Sequence, residues 1–214
     1  MMADSLRLIE NLHWIAHDTF RIDHPVVIYF DPWNLPEDSP KADIVLVSHD
    51  HYDHCSPEDV EAVRTPDTLL IANPGAAKKL DEPIEVMRPG EKRTFAGVTI
   101  ETVPAYNLEK SFHPKDEQHL GFILEIDGER LYFAGDTDHI PEMESIECDL
   151  ALLPVSGTYV MDAEEAAEAA ATLRPKLIVP MHYGAGVVGT IADAQRFSEL
   201  TNFPVRIMDA EAIP

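Results

Sequence analysis

One stretch constrains this chain more than any other. The apolar run Ile44-Val-Leu-Val47 leads directly into Ser48-His49-Asp50-His51-Tyr52-Asp53-His54. A continuous apolar run bounded in this way is the signature of a strand buried on both faces, so the fold must supply a covering layer on each side of it. His49 and His51 are two residues apart, and on extended backbone such residues point to one face, where two imidazoles can share a metal. Asp53 and His54 are neighbours and cannot share a strand face. They must sit in the turn that follows and reach a second position. Ser56 and Pro57 then read as an N-cap and a first-turn proline, opening a helix over 57–63. Histidines also cap turns or sit in polar loops, but so many imidazoles and carboxylates packed behind a buried strand point to paired metal sites.

Two more apolar runs end in the same chemistry. Residues 131–134 are followed by Gly135, Asp136, Thr137 and Asp138, and residues 177–179 lead through Pro180 and Met181 to His182 and Tyr183. In layered αβ folds, site residues gather where central strands end, because the backbone there is rigid and the side chains reach open space. Alone, Asp136 reads as a turn residue and His182 as a capped core histidine; the first cluster is what raises them. The expected ligands are therefore His49, His51, Asp53, His54, Asp136 and His182, with Asp136 bridging two metals. Asp53 and Asp136 are also the expected catalytic carboxylates, orienting the attacking water and passing on its proton.

The remaining pattern supplies the frame. Further strands are expected at 6–9, 13–16, 19–22, 26–30, 68–71, 98–103, 120–126 and 150–153, and further helices at 75–80, 162–172 and 191–200. Groups of strands with interleaved helices suggest two sheets with helices packed outside, in one domain over residues 1–214. Thirty-nine acidic side chains oppose 16 Lys and Arg, a formal net charge of −23. A field of that sign disfavours nucleic acid and anionic membrane surfaces, leaving a small-molecule substrate as the expected partner. The acidity itself reads as a solvated surface, with attraction of cations or adaptation to a salty cytoplasm as the functional alternatives. The two cysteines, Cys55 and Cys148, fit a reduced cytoplasm, the start (residues 1–10) lacks a secretory layout, and no apolar run reaches membrane-spanning length. Oligomeric state is not legible.

On these residues the chain resembles the metallo-β-lactamase fold superfamily. The likeness is carried by His49-Asp-His51-Tyr-Asp53-His54, by Gly135-Asp136-Thr137-Asp138 and by Met181-His182-Tyr183, together with Trp14-Ile-Ala-His17 and Ile28-Tyr-Phe-Asp31-Pro32 in the opening hairpin. Within the superfamily it resembles the short, stand-alone Zn-dependent hydrolases and is distantly similar to the ascorbate-6-phosphate lactonase group. The resemblance implies an α+β fold, a four-layer αββα sandwich, with metals in the cleft between the sheets. It also implies zinc, two ions if the first site is completed and one firmly bound ion if it is not, with manganese or iron as alternatives, and a hydrolase acting on a small ester, lactone or phosphoester. Asp31 resembles the aspartate that orients a metal-bound imidazole in this superfamily, and His17 is expected nearby, behind the ligands or lining the pocket.

The pattern departs from the superfamily at one point. Where a third histidine of the first metal is expected, the segment reads Thr102-Val-Pro-Ala-Tyr-Asn107. An amide oxygen is a weaker zinc ligand than imidazole. Asn107 itself, His113 folding back from the following loop, or water could fill the gap; His119 is a weaker candidate. Cys55 reads as a small residue at a helix start rather than a soft ligand, and His13, His24 and His139 have no partner pattern. The di-iron branch of the superfamily carries a carboxylate where this chain has His51, which argues against redox chemistry. The alternative to an enzyme is a metal-dependent sensor or binding module without turnover.

Overall fold

The computed structural model describes residues 6–211. Residues 1–5, half of the start read above for a leader, lie outside them.

Alternation along the strands creates the layers. In β4 (Ile44–Val47) all four side chains are buried, but they serve two cores: Ile44 and Leu46 join the large apolar cluster, Val45 and Val47 a smaller one. The same division holds in β3 (Ile28–Phe30) and β5 (Leu69–Ala72), where Phe30 and Ile71 face the large cluster while Tyr29, Leu70 and Ala72 face the small one. The small cluster is closed by Val60 and Val63 of α2 (Pro57–Val63). That helix starts as expected, with Ser56 Oγ accepting from Asp59 N at 3.2 Å and Pro57 in its first turn.

The large cluster lies between two six-stranded sheets. The first runs β1 (Leu12–Ala16), β2 (Thr19–Ile22), β3, β4, β5 and β6 (Glu85–Val86). Its first three strands are antiparallel and the rest parallel. The second runs β12 (Leu177–Met181), β11 (Leu150–Pro154), β10 (Glu129–Phe133), β9 (Leu120–Ile126), β8 (Val98–Pro104) and β7 (Lys92–Phe95), parallel over β10–β12 and antiparallel beyond. Phe30 of one sheet stacks on Phe133 of the other at 4.9 Å between ring centroids. The alanine-rich α3 (Ala163–Leu173) and α4 (Ile191–Leu200) add Ala166, Ala169, Ala170 and Phe197 to this cluster. The result is the αββα sandwich.

Three local readings are corrected. Residues 6–9 are not a strand; Arg7–Glu10 form a helical turn, α1. Its free first-turn N–H groups are taken by a distant carboxylate, Glu129 accepting from Arg7 N at 3.1 Å and Leu8 N at 2.9 Å, a tertiary cap invisible to local pattern. The expected helix at 75–80 is only a 3-10 turn, Ala76–Lys78. Strands β6 and β7 escape sequence reading because both are edge strands, and Lys92-Arg-Thr-Phe95 is mostly exposed and charged, as edges are.

Strand ends set the site. Gly135, which follows β10, has φ +65°, and a Cβ there would meet Leu120 O at 2.8 Å. Gly135→Ala is expected to cost about 1–3 kcal/mol, lowering the thermal midpoint by several degrees in a circular-dichroism melt. An unchanged midpoint would show that the turn relaxes freely.

Candidate metal centre

Six loops that leave the two sheets bring their polar side chains to one place. His17 follows β1, Asp31 follows β3, and His49 to His54 follow β4. From the other sheet come His113 between β8 and β9, Asp136 after β10 and His182 after β12. The imidazoles His49, His51 and His113 meet Asp136 in one group. His49 Nε2 lies 3.0 Å from His51 Nδ1, His51 Nδ1 lies 3.1 Å from His113 Nε2, and His113 Nε2 lies 3.2 Å from Asp136 Oδ2. His49 Nε2 closes the ring at 3.9 Å from Asp136 Oδ2. For comparison, four ligands around a tetrahedral ion at ordinary zinc bond lengths stand about 3.4 Å apart.

A second group shares the same carboxylate. His182 Nε2 is 3.2 Å from Asp136 Oδ2 and His54 Nε2 is 3.4 Å from Asp136 Oδ1. Asp53 Oδ2 stands 4.0 Å from His54 Nε2 and 3.4 Å from His17 Nε2. Asp136 therefore lies between the two groups of imidazoles.

The outer hydrogen bonds decide which nitrogens carry lone pairs. Ser48 Oγ donates to Asp31 Oδ2 at 2.6 Å and so accepts from His49 Nδ1 at 2.9 Å. The same Asp31 oxygen accepts from His54 Nδ1 at 2.8 Å, while Ser48 N binds Asp31 Oδ1 at 2.7 Å. Tyr159 O, which only accepts, takes the Nδ1 proton of His113 at 3.1 Å. The Nε2 lone pairs of His49 and His113 are thus turned inward, with His54 Nε2 beside them, towards one another and Asp136. Lone pairs facing each other repel unless a cation lies between them, so the donor set fits metal ions.

Electrostatics agree. Asp18, Asp31, Asp53 and Asp136 are all buried, and their ion-pair contacts are all to histidines. Burial opposes charge on Asp136, but His182, His54 and His49 hold its carboxyl well below the usual range. Burial likewise opposes charge on His54, yet Asp136 and Asp31 raise its pKa well above that of a free imidazole. A field strong enough to hold a proton there also suits a divalent cation. Asp136 Oδ1 has no hydrogen-bond partner.

Asn107 is turned to a different task. Its Nδ2 donates to Tyr159 O at 2.7 Å and lies 3.4 Å from His113 Nδ1, the nitrogen on the outer side of that ring. His113 has φ +49° and its carbonyl accepts from Asn107 N at 2.9 Å, so the loop is folded back on itself there. His119 stacks on His49 at 4.7 Å, but its Nε2 faces Glu117 at 3.1 Å. Cys55 packs in the small apolar cluster, where burial pushes its thiol up to about 12. His13 pairs with Glu211 and His139 with Thr172, away from the centre; His24 stands in an exposed turn.

Sequence reasoning missed Asp18, Ser156 and Tyr159. Ser156 Oγ lies 2.8 Å from His182 Nδ1, and its place just beyond β11 was the signal, the same strand-end position as the other site residues. Asp18 sits in the β1–β2 turn and looks like an ordinary turn residue, whereas it is fully buried and burial pushes its carboxyl up to about 8. Tyr159 acts through its carbonyl, which no side-chain pattern can announce.

The profile of the β-lactamase superfamily domain matches residues 11–182. A UPF0173 metal-dependent hydrolase of Pelotomaculum thermopropionicum is 31% identical over 195 residues, covering 79% of this chain and 82% of that one. A crystal structure from Parabacteroides distasonis, named as a candidate metal-dependent hydrolase, is 34% identical with a TM-score of 0.83, covering 94% of this chain and 93% of that one. CmlA, a diiron β-hydroxylase from Streptomyces venezuelae, is 14% identical with a TM-score of 0.74 over 92% of this chain and 52% of its own, a likeness of fold alone. The chain belongs to the metallo-β-lactamase superfamily, among its stand-alone metal-dependent hydrolases.

Proposed function

We propose that this centre is a two-metal site that hydrolyses a small, uncharged ester or lactone. The first ion would be held by His49, His51 and His113 and the second by Asp53, His54 and His182, with Asp136 within reach of both groups. The observation that carries the reading is the close ring of donor atoms from His49, His51, His113 and Asp136, with successive links of 3.0, 3.1 and 3.2 Å and a closing link of 3.9 Å. Zinc suits the imidazole-rich first group. When bound, the ions would acidify a water and polarise the substrate's oxygen. Asp53 reaches the cleft; burial works against its charge, but His17 and His54 pull its carboxyl down to about 2. It stays ionised and orients the nucleophile.

The cleft over the centre has a volume of about 500 Å³. Its outer wall is apolar, formed by Tyr52, Phe112, Tyr159 and Val187, with Phe112 and Tyr159 edge to face at 4.7 Å. Lys79 also lines it, but its Nζ is 2.9 Å from Asp50 Oδ2, so its charge is already met. A phosphate group would find Asp50 beside it and a committed lysine. This, with the net charge of −23, favours the ester and lactone within the wider expectation that included phosphoesters. Among the described residues no helix is long and apolar enough to cross a membrane. Both thiols are free, which supports a place in the reducing cytoplasm.

Chelation is expected to abolish hydrolysis of an aryl ester or a lactone, and zinc or manganese to restore it. The reloaded protein should turn over p-nitrophenyl butyrate at least about 100-fold faster, by kcat/KM, than bis-p-nitrophenyl phosphate. Full activity after chelation contradicts the metal mechanism; a preference for the phosphodiester contradicts the substrate class alone.

A further inference from the structure

We propose that His17 is a direct ligand of the second cation, giving that side of the centre five protein donors: His17, Asp53, His54, Asp136 and His182. The inference rests on the two-metal reading above and extends it to a residue outside the His49–His54 motif.

His17 is fully buried, and neither ring nitrogen has a hydrogen-bond partner. A buried polar atom left unpaired is costly, so such an imidazole calls for an explanation. Its surroundings supply one. The ring stands 4.1 Å from the His182 ring, centroid to centroid. One nitrogen each of His17, His54 and His182 lie within 4.8 Å of one another. His17 Nε2 is also 3.4 Å from Asp53 Oδ2, the separation of two ligands on one ion at ordinary zinc bond lengths, about 3.4 Å.

The backbone holds the ring in this position. His17 has φ +51°, in the left-handed region that side chains other than glycine seldom adopt. Its carbonyl is fixed from two directions, accepting from Trp14 Nε1 at 2.9 Å and from His182 N at 3.3 Å. The hairpin turn is thus locked to the His182 strand end, with the imidazole between Asp53 and His182. Strain of this kind at a functional group is expected where the surroundings over-determine it.

A donor count follows. The first site offers three imidazoles and a carboxylate oxygen, the four ligands that zinc prefers. The second, on this proposal, would draw on the imidazoles of His17, His54 and His182 and on the carboxylates of Asp53 and Asp136, with Asp18 grouped beside His54, Asp136 and His182. That exceeds a tetrahedral set and suits an ion that accepts six ligands, such as manganese or ferrous iron. The two positions are therefore built for different ions.

The test uses the full chain, stripped of metal and titrated with cobalt(II), followed by visible absorption and elemental analysis. The wild-type protein should take up two ions, the weaker-absorbing one in the second site because high coordination weakens the cobalt bands. His17→Gln keeps side-chain bulk and an N–H that can still reach Asp53. In this variant the first ion should bind as before, and the second at least about 10-fold more weakly, with a stronger visible band when it binds. His17→Ala should behave likewise, with far-ultraviolet circular dichroism checking that it folds. Unchanged affinity and spectrum in His17→Gln overturns the assignment, including when His17→Ala alone loses the second ion, because that result makes His17 a positioning residue for Asp53. If the wild-type chain binds fewer than two ions, the two-metal reading fails first and the assignment with it.

Discussion

Replacing Asp136 by Ala is expected to empty both metal positions and lower kcat/KM by on the order of 1000-fold or more, the scale on which loss of a preorganised electrostatic group acts. The reason is its place between the two groups. One oxygen, Oδ2, lies 3.2 Å from both His113 Nε2 and His182 Nε2, and the other faces His54 at 3.4 Å. With the carboxylate gone, the imidazoles keep their outer hydrogen bonds to Ser48, Asp31, Tyr159 and Ser156, so the scaffold should fold. What is lost is the negative charge that would neutralise the two proposed cations. Elemental analysis after dialysis, beside the kinetics, checks this. A variant that retains two ions and near wild-type turnover would show that Asp136 is structural.

The second large effect separates His113 from Asn107. His113→Ala should weaken the first site by at least about 100-fold and lower activity in parallel, because a primary nitrogen donor is removed. Asn107→Ala should retain both ions and lose only about 10-fold, the lower end of what removal of an outer-sphere partner costs. Its amide secures the Tyr159 carbonyl that in turn takes the His113 proton, so its loss loosens the ring rather than opening the site. Metal titration of the two variants decides the matter. The reverse ranking, with Asn107→Ala losing an ion and His113→Ala silent, would make the amide the ligand and His113 a pocket residue.

These two residues also mark where sequence reading is strong and where it stops. The His49–His54 cluster is legible because its chemistry is local. Apolar run, strand end, paired imidazoles and helix cap succeed one another within a dozen residues, and each dictates the next. Asp136 and His182 are legible at one remove, since both follow an apolar run that can only be a buried strand. The αββα layers follow from the same runs, each splitting its side chains between two cores, as Ile44 and Val45 do.

The gap at Asn107 could be named from sequence but not closed. What closes the ring around His51 is a loop that doubles back at His113 with φ +49°, and no periodicity encodes that return. Asp18 and His17 were less legible for a related reason. Both lie in a two-residue hairpin turn, where polar residues are ordinary, and only the second sheet closing over them reveals that they are buried. Helix α1 shows the limit in the frame itself. Its stabilising carboxylate, Glu129, is 121 residues from Leu8 in sequence, so the four-residue segment read by itself as a strand.

The proposed asymmetry of the two metal positions would bear on chemistry as well as on metal choice. The cleft is lined by His51, Asp53, His113, Asp136 and His182, so on the proposed reading a substrate would reach both positions. An apolar rim and a neutralised Lys79 leave the metals themselves as the chief source of positive charge there. Polarisation of a neutral carbonyl then needs no further basic side chain.

The central claim is tested most directly by anomalous diffraction at the zinc and manganese edges, on crystals of the metal-loaded protein. Two peaks are expected on opposite sides of Asp136, one bounded by His49, His51 and His113 and the other by Asp53, His54 and His182. A single peak, or a first ion bound by Asn107 with His113 turned away, would contradict the two-metal centre described here.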